Sequence, residues 1–153
     1  MRTALIGFLT GAASGVVMGF ASHISFKLRL FKSSLIIIDG SFFFRTLKLP
    51  GSPLLIFGTG LLTHLVTSGI FGAIYVVAAD FLGLNALSFP LVSLYVLFLW
   101  LSMVFIALPV SGEGMFGRKS GPLAWLEQLI LHILFGGLYY LILKGFLQQG
   151  TTI

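Results

Sequence analysis

Residues 3 to 26, 49 to 79 and 81 to 112 contain no Asp, Glu, Lys or Arg, and residues 120 to 143 contain only Glu127. A helix needs roughly 20 apolar residues to cross the ~30 Å hydrocarbon layer of a bilayer, and all four runs reach that length. Inside lipid every backbone N–H and C=O must find a partner within the chain, so runs this long read as helices; barrel strands would be near 10 residues and alternating. Composition agrees, because 58% of the 153 residues are hydrophobic and only 8% charged, far outside soluble usage. The expected fold class is an all-α integral membrane protein. It is a single four-helix transmembrane domain, residues 1–153, with spans at about 3–26, 53–79, 87–109 and 122–145. Pro53, Pro90 and Pro122 fall where three spans should begin, positions that tolerate a missing N–H, and Pro109 closes the third span.

The distribution of charge sets the expected orientation. Of the nine basic residues, Lys27, Arg29, Lys32, Arg45 and Lys48 lie in the first loop and Arg118 and Lys119 in the third, whereas Arg2 and Lys144 lie at the opposite ends. The positive-inside rule then places loops 1 and 3 in the cytoplasm and both termini outside. The second loop, "DFLGLN", has Asp80 and no cation, which suits the outer side. Cations beside a membrane attract anionic headgroups at ~1 kcal/mol each, so the net charge of +5 points to the lipid bilayer as a partner and not to nucleic acid. Gly19 and Ala21 before Ser22 resemble a signal-processing site. The apolar stretch is nonetheless longer than the usual ~7–15 residues, and cations follow it at once, as after a retained span. With no cysteine, disulfides, thiolate metal sites and cysteine nucleophiles are excluded.

Between the first two spans lies "FKSSLIIIDGSFFFRTLKLPG", too short and too charged to cross. Its Asp-Gly suits a hairpin turn. Alternatively, Asp39 caps a short interfacial helix whose Phe42, Phe43, Phe44 and Leu47 dip into the membrane surface while Arg45 and Lys48 stay wet. The interfacial segment is the favoured reading.

Gly7, Gly11, Gly15 and Gly19 fall at strict four-residue spacing in the first span, and His23 continues the row. Lipid tails are as apolar as leucine, so helices associate there by close van der Waals approach, which small residues at this spacing permit. The row reads as a glycine zipper. Gly60, His64, Ser68 and Gly72 form a second row, and Gln128, His132, Gly136 and Tyr140 a third. The helix-packing residues are therefore Gly7, Gly11, Gly15, Gly19, Gly60, Ser68, Gly72 and Gly136, and the histidines should face protein.

His64 is eleven residues after Pro53 and His132 ten after Pro122, so both lie ~15–16 Å into their helices, near the midplane. Glycine follows each histidine by five positions, as Gly69 and Gly137, which suggests two related helix pairs. Three readings of the histidines stand open. In one they make interhelical hydrogen bonds, to each other or to Thr63, Thr67, Ser68, Gln128 or Tyr140. In another they are the axial ligands of a b-type haem, with Ser68 and Gly136 leaving room for the porphyrin. The third, with less support, is another metal site or a proton role, since a lone pair of histidines falls short of a metal-site pattern.

Other motifs weaken in context. "GEGMFG", residues 112 to 117, matches G-x-G-x-x-G but follows a membrane helix where a dinucleotide site needs a strand, so it reads as a turn. Glu127, one turn into the last span beside Trp125, reads as a solvated carboxylate at headgroup level. No acid is placed to orient a histidine beside a serine, so no catalytic residue is assigned.

"LLTHLVTSGIFGAIY", "ALPVSGEGMFG" and "LILHILFGGLYY" together resemble a broad group of small bacterial four-span inner-membrane proteins of unassigned function, the YagU-like group, over about residues 54 to 143. The resemblance implies a multi-pass location in the cell inner membrane and carries over no catalytic residue. The expected function is a non-enzymatic accessory or packing subunit, in a homo-oligomer or with other membrane subunits and without a cofactor. The alternatives are an electron-transfer haem protein and, more weakly, a small-solute carrier, which would need charged or broken-helix features at midplane.

Overall fold

Hydrocarbon offers no hydrogen bonds, so apolar runs must pair their backbone internally, and here they do so as helices. In the computed structural model, which describes residues 2–149, the chain forms α1 (Arg2–Lys27), α2 (Leu35–Thr46), α3 (Pro53–Phe81), α4 (Phe89–Ser102), α5 (Leu108–Ser111) and α6 (Ala124–Gln149). A π-helical turn at Met103–Ala107 joins α4 to α5. Among the described residues, four helices are long and apolar enough to cross a membrane: Arg2–Lys27, Pro53–Phe81, Phe89–Ser111 and Ala124–Gln148. The protein is a multi-pass, all-helical membrane protein. The third span runs through Pro109 instead of ending there. Proline cannot donate to the carbonyl four residues back, and the turn before it widens, with the Leu108 N–H bonded to the Met103 carbonyl. The helix stops at Gly112, whose φ of +94° is left-handed and whose missing side chain leaves room for the Arg45 guanidinium.

The helices do not pack in chain order. α1 packs against both α3 and α6, and α4 packs against α6 and reaches α3 through Tyr95. The α1 glycine row forms the α3 contact: Gly7 meets Gly72 and Val76, Gly11 meets Ser68 and Gly72, Gly15 meets Ser68, and Gly19 meets His64. A methyl group built on Gly11 would stand 3.0 Å from the Gly72 Cα and closer still to the Ser68 carbonyl oxygen. The two backbones therefore touch. A second row on α1, made of Thr10, Ser14, Met18 and Ser22, is also buried. Between α4 and α6 the approach is looser: Val96 lies over Gly136, within a shell of Val92, Leu99, Leu131, Phe135 and Tyr139.

A short helix follows α1 as expected, but it begins four residues before Asp39, which sits inside α2 and does not cap it. Leu35, Ile36 and Ile38 are buried, and α2 packs between α3 and α5. Its first turn lies inside the bundle, because Leu35 N–H is bonded to the Ser22 hydroxyl, five residues or ~8 Å before the end of α1. From there α2 runs back along α3. The Ile36 carbonyl lies against Gly60, the Ile56 carbonyl against Gly40, and Phe44 against Gly51. Only its later part, with Phe43, Arg45 and Leu47 exposed, has an interfacial character.

Gly11→Leu should lower stability by about 3 kcal/mol or more, because it overpacks a backbone contact with no room to relax. Gly137→Ala, whose added methyl would meet nothing within 4 Å, should leave it unchanged. Thermal unfolding of both variants in mild detergent, followed by size-exclusion chromatography, distinguishes them.

Candidate functional site: a buried polar layer around His64

The glycine row and α2 together enclose His64. Gly15 and Gly19 leave space on α1 for the imidazole, and a methyl on Gly19 would stand 2.9 Å from its Cδ2. The ring is only 5% exposed. Its Nδ1 lies 2.8 Å from Asp39 Oδ2 on α2, and its Nε2 lies 3.0 Å from the Gly15 carbonyl oxygen on α1. One side chain thus joins three helices.

Both partners are oxygens of acceptor type. A carbonyl cannot donate, so Nε2 carries a proton and donates it to Gly15. The contact with Asp39 needs a second proton, held either by the ring or by the carboxyl group. Histidinium with carboxylate and neutral histidine with carboxylic acid are both net neutral. That neutrality is what makes the pair tolerable at this depth, since an unpaired buried charge costs several kcal/mol.

A second set of bonds ties the first loop to the helices beside it. Both carboxylate oxygens of Glu127 accept from the Lys32 backbone N–H, at 3.1 and 3.0 Å, and Gln128 Nε2 donates to the Ser33 hydroxyl at 3.3 Å. On the α1 side, His23 Nδ1 lies 3.1 Å from the Ser34 hydroxyl. Glu127 is therefore a buried clasp at 7% exposure and not the solvated carboxylate expected from its headgroup position. Among the described residues, Thr10 Oγ1 on α1 and Gln128 Oε1 on α6 are buried without a hydrogen-bond partner. Farther along the bundle the Tyr139 hydroxyl donates to the Gly72 carbonyl at 2.7 Å, and the Tyr75 and Tyr139 rings meet edge to face at 5.5 Å.

His64 and His132 are not equivalent. His132 turns back on its own helix, with Nδ1 2.7 Å from the Gln128 carbonyl oxygen, so Nδ1 donates and Nε2 keeps the lone pair. Axial ligation of haem takes one lone pair from each of two histidines. In His64 both nitrogens are engaged by oxygens, and Gly15 and Gly19 are closed against the ring. These residues fit at most one axial ligand, not the pair. Of the other packing positions, Gly60, Ser68 and Gly72 all lie at contacts of α3 with α1 or α2, and Gly136 lies at the contact with α4.

Two grooves lie away from this layer. One, of about 450 Å³, runs between α3 and α4 and is lined by Tyr75, Ala79, Leu91, Tyr95 and Phe98 among others; Tyr95 crosses it to donate to the Phe71 carbonyl at 2.8 Å. The other, of about 390 Å³, lies at the opposite end of the bundle from α2, with Arg2, Thr3 and Asp80 at an otherwise apolar wall. The chain matches no known family, no curated protein and no solved structure.

The partners of Asp39 and Glu127 were missed by sequence reasoning. The available signal was an acid set within the apolar run "LIIIDGSFFF", since a carboxyl group so placed needs a buried partner. Glu127→Ala should remove a charge-assisted bond of about 2 kcal/mol and free the loop. Trypsin should then cleave after Arg29 and Lys32 at least tenfold faster than in the parent, read as band intensities over a time course.

Proposed function

We propose that this chain is a non-enzymatic, multi-pass protein of the cell inner membrane that serves as an accessory or packing subunit of a membrane assembly, either as a homo-oligomer or beside other membrane subunits. The observation that carries this reading is the direction of its polar groups. His64, Ser22, Glu127 and Tyr139 are each bonded to another element of the same chain. Leu62, Leu94, Phe98, Ile133 and Leu141 face outward and are well exposed. Polar side chains bonded in this way hold helices together, and apolar faces meet lipid or other helices. In this reading the α1 row is a glycine zipper that closes the bundle from within, and partners meet the outer faces, the α3–α4 groove among them.

The orientation follows from the cations. Lys27, Arg29, Lys32, Arg45, Lys48, Arg118 and Lys119 all belong to connections at the end of the bundle that carries α2, which supports loops 1 and 3 in the cytoplasm and both termini outside. The resemblance to small bacterial four-span proteins supports the inner-membrane placement.

Because the chain has no cysteine of its own, single cysteines report topology directly. Ser120→Cys should react with an impermeant maleimide only after the cells are opened, and Asn85→Cys should react in intact cells; the reverse pattern would invert the orientation. Purified in mild detergent, the protein should be colourless and should elute as an oligomer or with stoichiometric membrane partners. A Soret band lost in both His64→Ala and His132→Ala would replace this function with electron transfer.

A further inference from the structure

With both contacts of His64 made as hydrogen bonds, Asp39 and His64 together hold one more proton than neutral histidine and ionised aspartate would carry. The count rests on geometry: two oxygens flank one imidazole, at 2.8 and 3.0 Å, and each contact needs its own proton. We propose that the His64–Asp39 pair is a binding site for one exchangeable proton, and that releasing this proton frees α2 from α3.

The step balances simply. The protonated pair is neutral; it gives up H⁺ to water and becomes a pair of charge −1 with a single ring proton left. That proton can serve Asp39 or the Gly15 carbonyl, but not both, so one of the two contacts opens. The uncompensated charge is also poorly tolerated inside the bundle. Kept on Nδ1, the proton would hold an anionic carboxylate inside the bundle and turn a bare Nε2 toward the Gly15 carbonyl; kept on Nε2, it leaves the carboxylate to water, and this second outcome is the one proposed. α1 and α3 remain fixed to each other at Gly7, Gly11 and Gly72, where backbone meets backbone without any help from the imidazole. α2 is a helix of 12 residues, and Asp39, with its side chain 18% exposed, already has a route to water.

The surroundings leave this pair in control of the change. α3 carries no other ionisable side chain on this half, since residues 49 to 79 lack Asp, Glu, Lys and Arg and Tyr75 lies beyond Gly72. From α1 the nearest titratable group is His23, bonded to Ser34, with Lys27 one turn beyond it. α2 itself brings Arg45, which lies across Gly112 at the end of α5. From α6 come His132, which is engaged with the Gln128 carbonyl, and Glu127, which is engaged with Lys32. None of these is bonded to the pair.

Asparagine at position 39 makes the decisive variant. Its amide donates N–H to Nδ1 of a neutral imidazole while Nε2–H still serves Gly15, so Asp39→Asn keeps both bonds with no proton to lose. The full chain in lipid nanodiscs is followed by hydrogen–deuterium exchange between about pH 5 and about pH 9, the range that brackets histidine chemistry, with rates corrected for the intrinsic effect of pH. For the parent, protection of peptides within residues 35–46 should fall about tenfold or more toward alkaline pH, the factor that one lost charged hydrogen bond carries, while peptides of α1 stay protected. Asp39→Asn should be protected equally at both ends of the range, and His132→Asn should behave as the parent. A parent profile that does not change with pH overturns the proposal, and so does a pH dependence that survives in Asp39→Asn or disappears in His132→Asn. An Asp39→Asn protein too unstable to purify also counts against it, because the amide completes the same bonds.

Discussion

Backbone against backbone is the closest approach two helices can make, and the α1–α3 contact at Gly7, Gly11 and Gly72 fixes the positions of the other elements. Lipid gives helices no hydrophobic reason to associate, so close dispersion contact over several turns has to supply it. That closeness brings the Gly15 carbonyl within 3.0 Å of the His64 ring. α1 also packs against α6, and α6 against α4. α1 thus works as the axis of the molecule, although its apolar and polar residues show almost no helical asymmetry that would mark an inward face. On α1 the inward face is marked by small residues, the glycine row together with Thr10, Ser14 and Ser22.

The position of α2 follows from a different constraint. A chain that leaves α1 at Lys27 and returns at Pro53 could have stayed at the surface, yet Ser33, Ser34 and Leu35 are drawn into the bundle and bonded to Gln128, His23 and Ser22. The Ser22 hydroxyl and the Glu127 carboxylate satisfy backbone N–H groups where the loop leaves water. Glycine at positions 40 and 60 then lets α2 and α3 approach until each touches a carbonyl of the other. Ile36 and Ile38 fill the space beneath. Only with α2 in this place does His64 have an acid to meet, so the polar layer is a consequence of the re-entrant path and does not belong to the four spans alone.

Much of this was readable in the sequence because its signals are local. Charge-free runs gave four spans within a few residues of the observed ends, and four-residue spacing of small residues gave the face of α1 and of α3 that meet. The path of α2 was not readable, because an amphipathic helix and a buried one can share the pattern of "LIIIDGSFFF", and what separates them is whether Gly40 and Gly60 find each other's helices. Glu127 was misplaced for a related reason. Position beside Trp125 gives its depth, but its partner is a backbone N–H at Lys32, which no side-chain pattern reveals. Pro109 reads as a helix end in sequence; in the folded chain a widened turn at Met103–Ala107 absorbs it.

The glycine row changes its task along its length, and this explains why it has four members where a tight crossing needs two or three. At Gly7 and Gly11 the missing side chains let α1 touch the backbone of α3. At Gly15 and Gly19 the helices have begun to part, and the same absence makes room for Ser68 and then for the imidazole of His64. A crossing built only for closeness would exclude a histidine; a pocket built only for a histidine would leave the helices unattached. By diverging from a fixed contact, α1 and α3 hold the ring in a wedge whose width is set a turn or two away. The wedge allows two oxygens to reach both nitrogens at once, so the geometry that packs the membrane span also builds the junction of three helices at His64.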